Sequence, residues 1–222
     1  FHMLVSTKKD GKGVLAEYVS DDMKKWEHAG VFMTMMWDRF YECPDLFKMG
    51  DWWYLVYSEM HSALRKVQYF KGKTLDELKA CTANDAGIWP DYREGFLDGR
   101  GFYAGKTASD GTDRYIWGWH AYRPGSVNTE AYDWGGNLAA PKLVQNEDGT
   151  LNCVPVPAVA EKFAGKNVKV EMKASSEEGV TFDNSSADGA SCTLTEGTYA
   201  LFNRLGTYNC ISFTVKTSSD TD

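Results

Sequence analysis

Seven residues, Tyr41-Glu42-Cys43-Pro44-Asp45-Leu46-Phe47, put one carboxylic acid two residues ahead of a proline that kinks the chain into an apolar run. A glutamate in that place can be held at the mouth of a β-sheet while Leu46 and Phe47 anchor the strand beneath it. A fixed carboxyl is what general acid catalysis requires, so Glu42 is the candidate catalytic residue. By residue type alone, a solvated glutamate ending a loop fits the same seven residues. Asp45 is placed to brace the loop around Glu42 through backbone hydrogen bonds. Cys43 reads as a small packed thiol, because no histidine stands near it to make it a nucleophile. His2, His28, His61 and His120 stand alone, and the 5 Cys contain no Cys-x-x-Cys pair, so neither a metal site nor a disulfide framework is indicated.

The elements that must hold Glu42 are strands. Helical periodicity is nearly absent, and short β-branched and aromatic runs alternate with Gly, Asp and Asn turns, the pattern of an all-β protein. Three of these runs are related: Phe1-His2-Met3-Leu4-Val5-Ser6, Trp53-Tyr54-Leu55-Val56-Tyr57-Ser58 and Arg114-Tyr115-Ile116-Trp117-Gly118-Trp119 superpose at spacings of 52 and then 61 residues. Ahead of the second and third lie a turn signal and another apolar run, so each unit opens with a hairpin. A strand and then a bulky apolar plug follow, as in Lys66-Val67-Gln68-Tyr69-Phe70 and Leu75-Asp76-Glu77-Leu78. About four strands per unit of 40 to 60 residues is the signature of propeller blades. A β-sandwich with accidental similarity is the other reading.

Residues 1–163 hold about three blades, fewer than a propeller needs to close, and the chain opens within a hairpin. It is therefore expected to be an interior piece of a longer protein. Prolines from Pro141 to Pro157 lead out of the blades. Beyond them, residues 164–222 alternate more cleanly, with Val168, Val170 and Met172 on one face and Ile211, Phe213 and Val215 later, as in the opening strands of a β-sandwich.

With a net charge of −7, the chain is a poor partner for nucleic acid or an anionic membrane surface. No apolar run is long enough to span a bilayer. The 12 Tyr, 11 Phe and 8 Trp suit strands and sugar-binding clefts alike, and a neutral ligand is the easier fit.

The heptapeptide resembles the Glu-Cys-Pro-Asp-Leu motif of glycoside hydrolase family 32, the invertases, levanases and inulinases. Three more stretches agree in order. Leu97-Asp98-Gly99-Arg100-Gly101-Phe102-Tyr103-Ala104 is similar to the family's Asp-x-Gly-x-Phe-Tyr-Ala segment, and Arg114 to Trp119 to its Arg-Arg-Ile-x-x-Gly-Trp strand. Trp134-Gly135-Gly136, Pro141-Lys142 and Asp148-Gly149-Thr150-Leu151 are similar to its Trp-Ala-Gly, Pro-Arg and Asp-Gly-Thr-Leu run.

The resemblance implies an all-β fold, a partial five-bladed β-propeller followed by the start of a β-sandwich. It implies retaining hydrolysis of β-fructofuranosyl bonds in sucrose or a fructan by two carboxyl groups, with no cofactor and with secretion or a periplasmic location. Glu42 then protonates the leaving oxygen and later activates water, Asp98 hydrogen-bonds sugar hydroxyls, and Trp119 walls the pocket by stacking. As a residue type, Asp98 equally suits a turn acid, and Trp119 a blade core. The family's Asn-Asp-Pro-Asn nucleophile and Arg-Asp-Pro stabiliser segments do not occur in this chain, and Asp38, in Trp37-Asp38-Arg39-Phe40, reads as a loop acid. The glycine order around Asp98 departs from the family's. That departure keeps two other readings open, a propeller that binds sugar or protein without chemistry and a different five-bladed glycosidase.

Overall fold

The computed structural model describes residues 1–34, 41–59, 66–80, 95–99, 101–121, 136–162, 165, 169–176, 178–185, 189–203 and 216. They fall into two compact units, Phe1–Val156 and Pro157–Asp222.

In the first unit, turn chemistry sets the strand ends. β1 (His2–Lys9) and β2 (Lys12–Val19) pair so that Lys9 faces Lys12. Asp10 and Gly11, left between them, both have positive φ, 51° and 76°. That is the twist a two-residue hairpin needs and Asp-Gly supplies at low steric cost. β3 (Glu27–Thr34) completes an antiparallel sheet in the order β1-β2-β3. β4 (Glu42–Met49) and β5 (Trp52–Glu59) repeat the hairpin around Gly50, whose φ is 56°.

β6 (Lys66–Gly72), helix α1 (Leu75–Ala80) and β7 (Phe96–Leu97) follow, in a sheet ordered β4-β5-β6-β7. The plug anticipated after Phe70 is α1. The Glu77 N–H donates to Thr74 Oγ1 at 3.1 Å and the Lys73 N–H to Glu77 Oε2 at 2.6 Å, a reciprocal cap that seats the fully buried Leu78.

The third sheet begins with the hairpin β8 (Phe102–Ser109) and β9 (Arg114–Ala121). Its turn is tied by the Asp110 carboxylate, which accepts the N–H groups of Thr112 and Asp113 at 2.9 and 2.8 Å. β10 (Gly136–Ala139) and β11 (Lys142–Gln145) share the other edge of β9 end to end, and β12 (Leu151–Val154) pairs with β11. Pro141 stands where they meet. It has no N–H to place, and its carbonyl accepts from the Ile116 N–H at 3.0 Å.

The three sheets are blades of the five-bladed propeller class, and β5 shows how they adhere. Successive side chains of a strand point to opposite faces. Tyr54 and Val56 join Phe102, Ile116, Leu143 and Leu151 of the third sheet, while Leu55 and Tyr57 join Leu15, Phe32 and Met33 of the first. Both faces of β5 are buried, so its apolar run is unbroken rather than alternating. Each fully buried Leu or Val side chain contributes about 1.5–3 kcal/mol.

The second unit opens with helix α2 (Pro157–Lys162), its proline in the first turn, where a missing N–H costs nothing. Four short strands follow: β13 (Met172–Ser175), β14 (Val180–Asp183), β15 (Ser191–Leu194) and β16 (Ala200–Phe202). β13 pairs with β16 and β14 with β15, both antiparallel. The strand expected from Val168 begins at Met172. Val168, Ile211, Phe213 and Val215 lie outside the described residues. Among the described residues no helix is long and apolar enough to cross a membrane.

Candidate active site

Glu42 is the first residue of β4 and faces Ser58 across the strand pair. The next facing pair is Asp45 with Val56, so β4 carries one extra residue between them. The surplus is a β-bulge at Cys43-Pro44. Proline suits it because a bulge needs no ladder donor there. Cys43 takes the left-handed conformation, φ 50°, which bends β4 between Glu42 and Asp45. Below the bulge, Phe47 is buried between the second and third blades, and Leu46 packs against the cluster between the first and second. Above it, the Tyr41 ring lies 4.2 Å from that of Tyr57 and 5.8 Å from that of Phe70. The acid is thus fixed from both sides.

A second bulge faces the first. In the β8–β9 pair, Tyr103 faces Trp119 but the next pair is Lys106 with Trp117, and Ala104 sits at φ 55°. β4 and β8 are both edge strands, and side chains join them. Asp45 Oδ2 accepts the Thr107 N–H at 2.7 Å, Lys106 Nζ donates to the Pro44 carbonyl at 2.7 Å, and the Tyr103 hydroxyl donates to Glu42 Oε2. Asp45 therefore braces the site across blades, not within its own loop. Trp119 lies edge-on to Tyr103, ring centroids 6.1 Å apart at 74°. Glu42 and Trp119 are half-buried and Tyr103 is buried. Burial holds the Cys43 thiol above its ordinary range, consistent with a packed group rather than a nucleophile.

The structure thus brings Glu42 and Trp119 together through Tyr103. Asp98 makes its contacts elsewhere. It sits just past β7 at φ 63°, accepts its neighbour Gly99's N–H at 2.7 Å, and places Oδ2 3.1 Å from His120 Nε2. His120 follows Trp119 on β9 and so points to the opposite face, against Phe102 at 5.2 Å. Cys153 lies beside this pair, its thiol pushed up to about 12, first by burial and then by the Asp98 charge. Asp38 lies outside the described residues.

Sequence reasoning missed Tyr103, Ser58 and the Lys106 and Thr107 ties. The signal for Tyr103 was in the Phe102-Tyr103-Ala104 run, where a hydroxyl-bearing aromatic begins the strand beside the one carrying the acid. Among the described residues there is no group of three or more His, Cys, Asp or Glu able to hold a metal.

What the arrangement can do is hold one carboxyl, partly shielded and oriented by a neutral hydroxyl donor, beside an aromatic wall. Antiparallel sheets packed face to face as blades define the β-propeller class, and here two of them hold a carboxyl between them. Residues 1–155 match the Glycosyl hydrolases family 32 N-terminal domain, and residues 149–222 the GH32, BT1760-like, C-terminal domain. The chain belongs to glycosyl hydrolase family 32. Among solved structures it is similar to a GH32 β-fructofuranosidase from Bombyx mori, at 19% identity over 77% of this chain and 38% of that one, TM-score 0.54. A mutant of that Bombyx mori enzyme in complex with sucrose matches at 19% identity over the same shares, TM-score 0.52. A fructan 1-exohydrolase IIa from Cichorium intybus, in complex with 1-kestose, matches at 16% identity over 82% of this chain and 35% of that one, TM-score 0.54. At these identities the likeness shows the fold, and the chain spans little more than a third of each structure.

Proposed function

We propose that this chain supplies the acid/base part of a retaining glycosidase that cleaves β-fructofuranosyl bonds in sucrose or a fructan. The observation that carries the reading is the Tyr103 hydroxyl donated to a Glu42 carboxyl that a proline bulge holds at the mouth of two blades. Its support is membership of family 32 together with the sucrose and 1-kestose named for two structures of the same fold.

In the reaction, Glu42 gives its proton to the glycosidic oxygen as the bond to the fructosyl carbon breaks, and the leaving alcohol departs neutral. A second carboxylate takes the fructosyl group in a covalent intermediate. Glu42, now ionised, accepts a proton from the water that releases it. Tyr103 keeps the carboxyl aimed through both steps, and the Trp119 face supplies an apolar wall for the sugar ring. The family's nucleophile segment does not occur in residues 1–222, and the second carboxylate is assigned to no residue of this chain.

The test is Glu42→Gln in the enzyme that contains this chain, assayed on sucrose, inulin and levan. Turnover is expected to fall at least about 100-fold on whichever is cleaved, the lower end of what general acid catalysis contributes. An unchanged rate removes Glu42 from the role.

A further inference from the structure

Directly across the strand pair from Glu42 stands a hydroxyl with nothing to bond. Ser58 is 0% exposed, and its Oγ has no hydrogen-bond partner among the described residues. A buried hydroxyl is normally satisfied, and one left over calls for an explanation. The internal repeat places it. Ser6 holds the same blade position in the first sheet and is also a buried hydroxyl without a partner among the described residues; it faces Leu15 as Ser58 faces Val67 on its β6 side. On its β4 side Ser58 also faces an acid. Residues directly opposite in an antiparallel pair share a face, with Cβ atoms about 4.5–5.5 Å apart. The two are not bonded in the resting fold; a change of rotamer at serine or along the longer glutamate stem is what would bring hydroxyl and carboxyl together.

We propose that Ser58 is a positioning residue for Glu42, its hydroxyl the donor held in reserve for the carboxylate that forms when Glu42 delivers its proton. The inference rests on the acid/base role proposed for Glu42 and adds a residue to it. While Glu42 is protonated, Tyr103 holds one of its oxygens and the carboxyl is neutral. As the proton passes to the leaving oxygen, full charge develops in a half-buried place. A hydroxyl bond to a carboxylate is roughly twice as strong as one to a neutral group. The Ser58 bond therefore forms as the charge develops, and it raises turnover rather than substrate affinity. Ser58 keeps its own proton throughout.

The experiment uses Ser58→Ala in the enzyme that contains this chain, with two substrates. From sucrose, the glucose leaving group departs as an alkoxide unless its oxygen is protonated. A nitrophenyl β-fructofuranoside leaves as a stable phenolate and needs little help from an acid. For Ser58→Ala, kcat on sucrose is expected to fall about tenfold, the equivalent of one charge-assisted hydrogen bond. KM should stay close to wild type, and the rate on the aryl substrate nearly unchanged. Because the hydroxyl makes no bond among the described residues, the Tm of the variant should be unchanged or raised. Equal losses on both substrates, no loss on sucrose, or a lowered Tm each overturn the Ser58 role alone. A wild-type enzyme that cleaves neither substrate overturns the fructosidase reading, and this inference with it.

Discussion

The second and third blades meet at two ends, and the two ends are built by opposite rules. At the hairpin end, the Tyr54 hydroxyl donates to the Gly149 carbonyl at 2.7 Å and accepts from Gln145 Nε2 at 2.7 Å, while the same amide donates to the Met49 carbonyl at 2.7 Å. Tyr69 accepts the Leu151 N–H at 3.0 Å. Burial raises the Tyr54 phenol above its ordinary range, so it stays a donor at any working pH. Glycine at 149 is required there, since a Cβ would come within 2.4 Å of the Trp52 ring. At the mouth end, two non-glycine residues, Cys43 and Ala104, sit in the left-handed region, and Ser58 is left without a partner. One end satisfies its polar groups, and the other stores strain around a carboxyl. Strain of this kind persists only where the surroundings over-determine it, and the satisfied end is what over-determines it here.

The contrast can be broken most directly at the satisfied end. Tyr54→Phe removes one hydroxyl and strips a partner from a buried carbonyl and from a half-buried amide. It should cost about 1–3 kcal/mol, which for a chain of this size lowers Tm by roughly 2–4 °C per kcal/mol. Activity measured well below the transition should not change. A variant that melts like wild type would show that the hairpin end is not what anchors the blades. Tyr103→Phe is the matching change at the mouth, with a smaller effect in free energy but a different readout. Turnover should drop about tenfold, the worth of one hydrogen bond to a carboxylate, while thermal unfolding shifts little. If Tyr103→Phe instead lowers Tm as far as Tyr54→Phe does, the two ends are not distinct.

The same contrast explains what could be read in the sequence. The blades were legible because hairpins announce themselves locally, through Gly50-Asp51 and the Asp110 turn, and because a strand with two buried faces reads as an unbroken apolar run. Glu42 was legible because Glu42-Cys43-Pro44-Asp45-Leu46 resembles a family motif; by residue type alone a solvated loop glutamate fitted the same run. Tyr103 was not, since its bond to Glu42 spans 61 residues and depends on how one blade abuts the next. Ser58 was hidden for a related reason: its importance lies in a missing bond, and sequence reports residue types, not unsatisfied atoms. Asp98 matched a family motif and suited a turn acid equally. Its side chain is engaged with His120 on the other face of β9, a pairing that strand alternation would have suggested once the β8–β9 register was known.

The smallest expected effect tests whether strain at the mouth matters apart from hydrogen bonding. Ala104 at φ 55° makes no side-chain hydrogen bond, so Ala104→Gly changes backbone preference and little else. A left-handed non-glycine residue costs roughly 1–2 kcal/mol, and glycine returns roughly 0.5–1 kcal/mol of that through the freedom it adds to the unfolded chain. The net gain in stability should be about 1 kcal/mol or less, seen as a slightly raised Tm. Tyr103 is the neighbouring residue, and a looser bulge holds its hydroxyl less firmly against Glu42. Turnover should therefore fall a few-fold while stability rises, the two moving in opposite directions. A variant that is both more stable and fully active would reduce the difference between the ends to hydrogen bonding alone, with the bulge conformation a by-product of blade geometry.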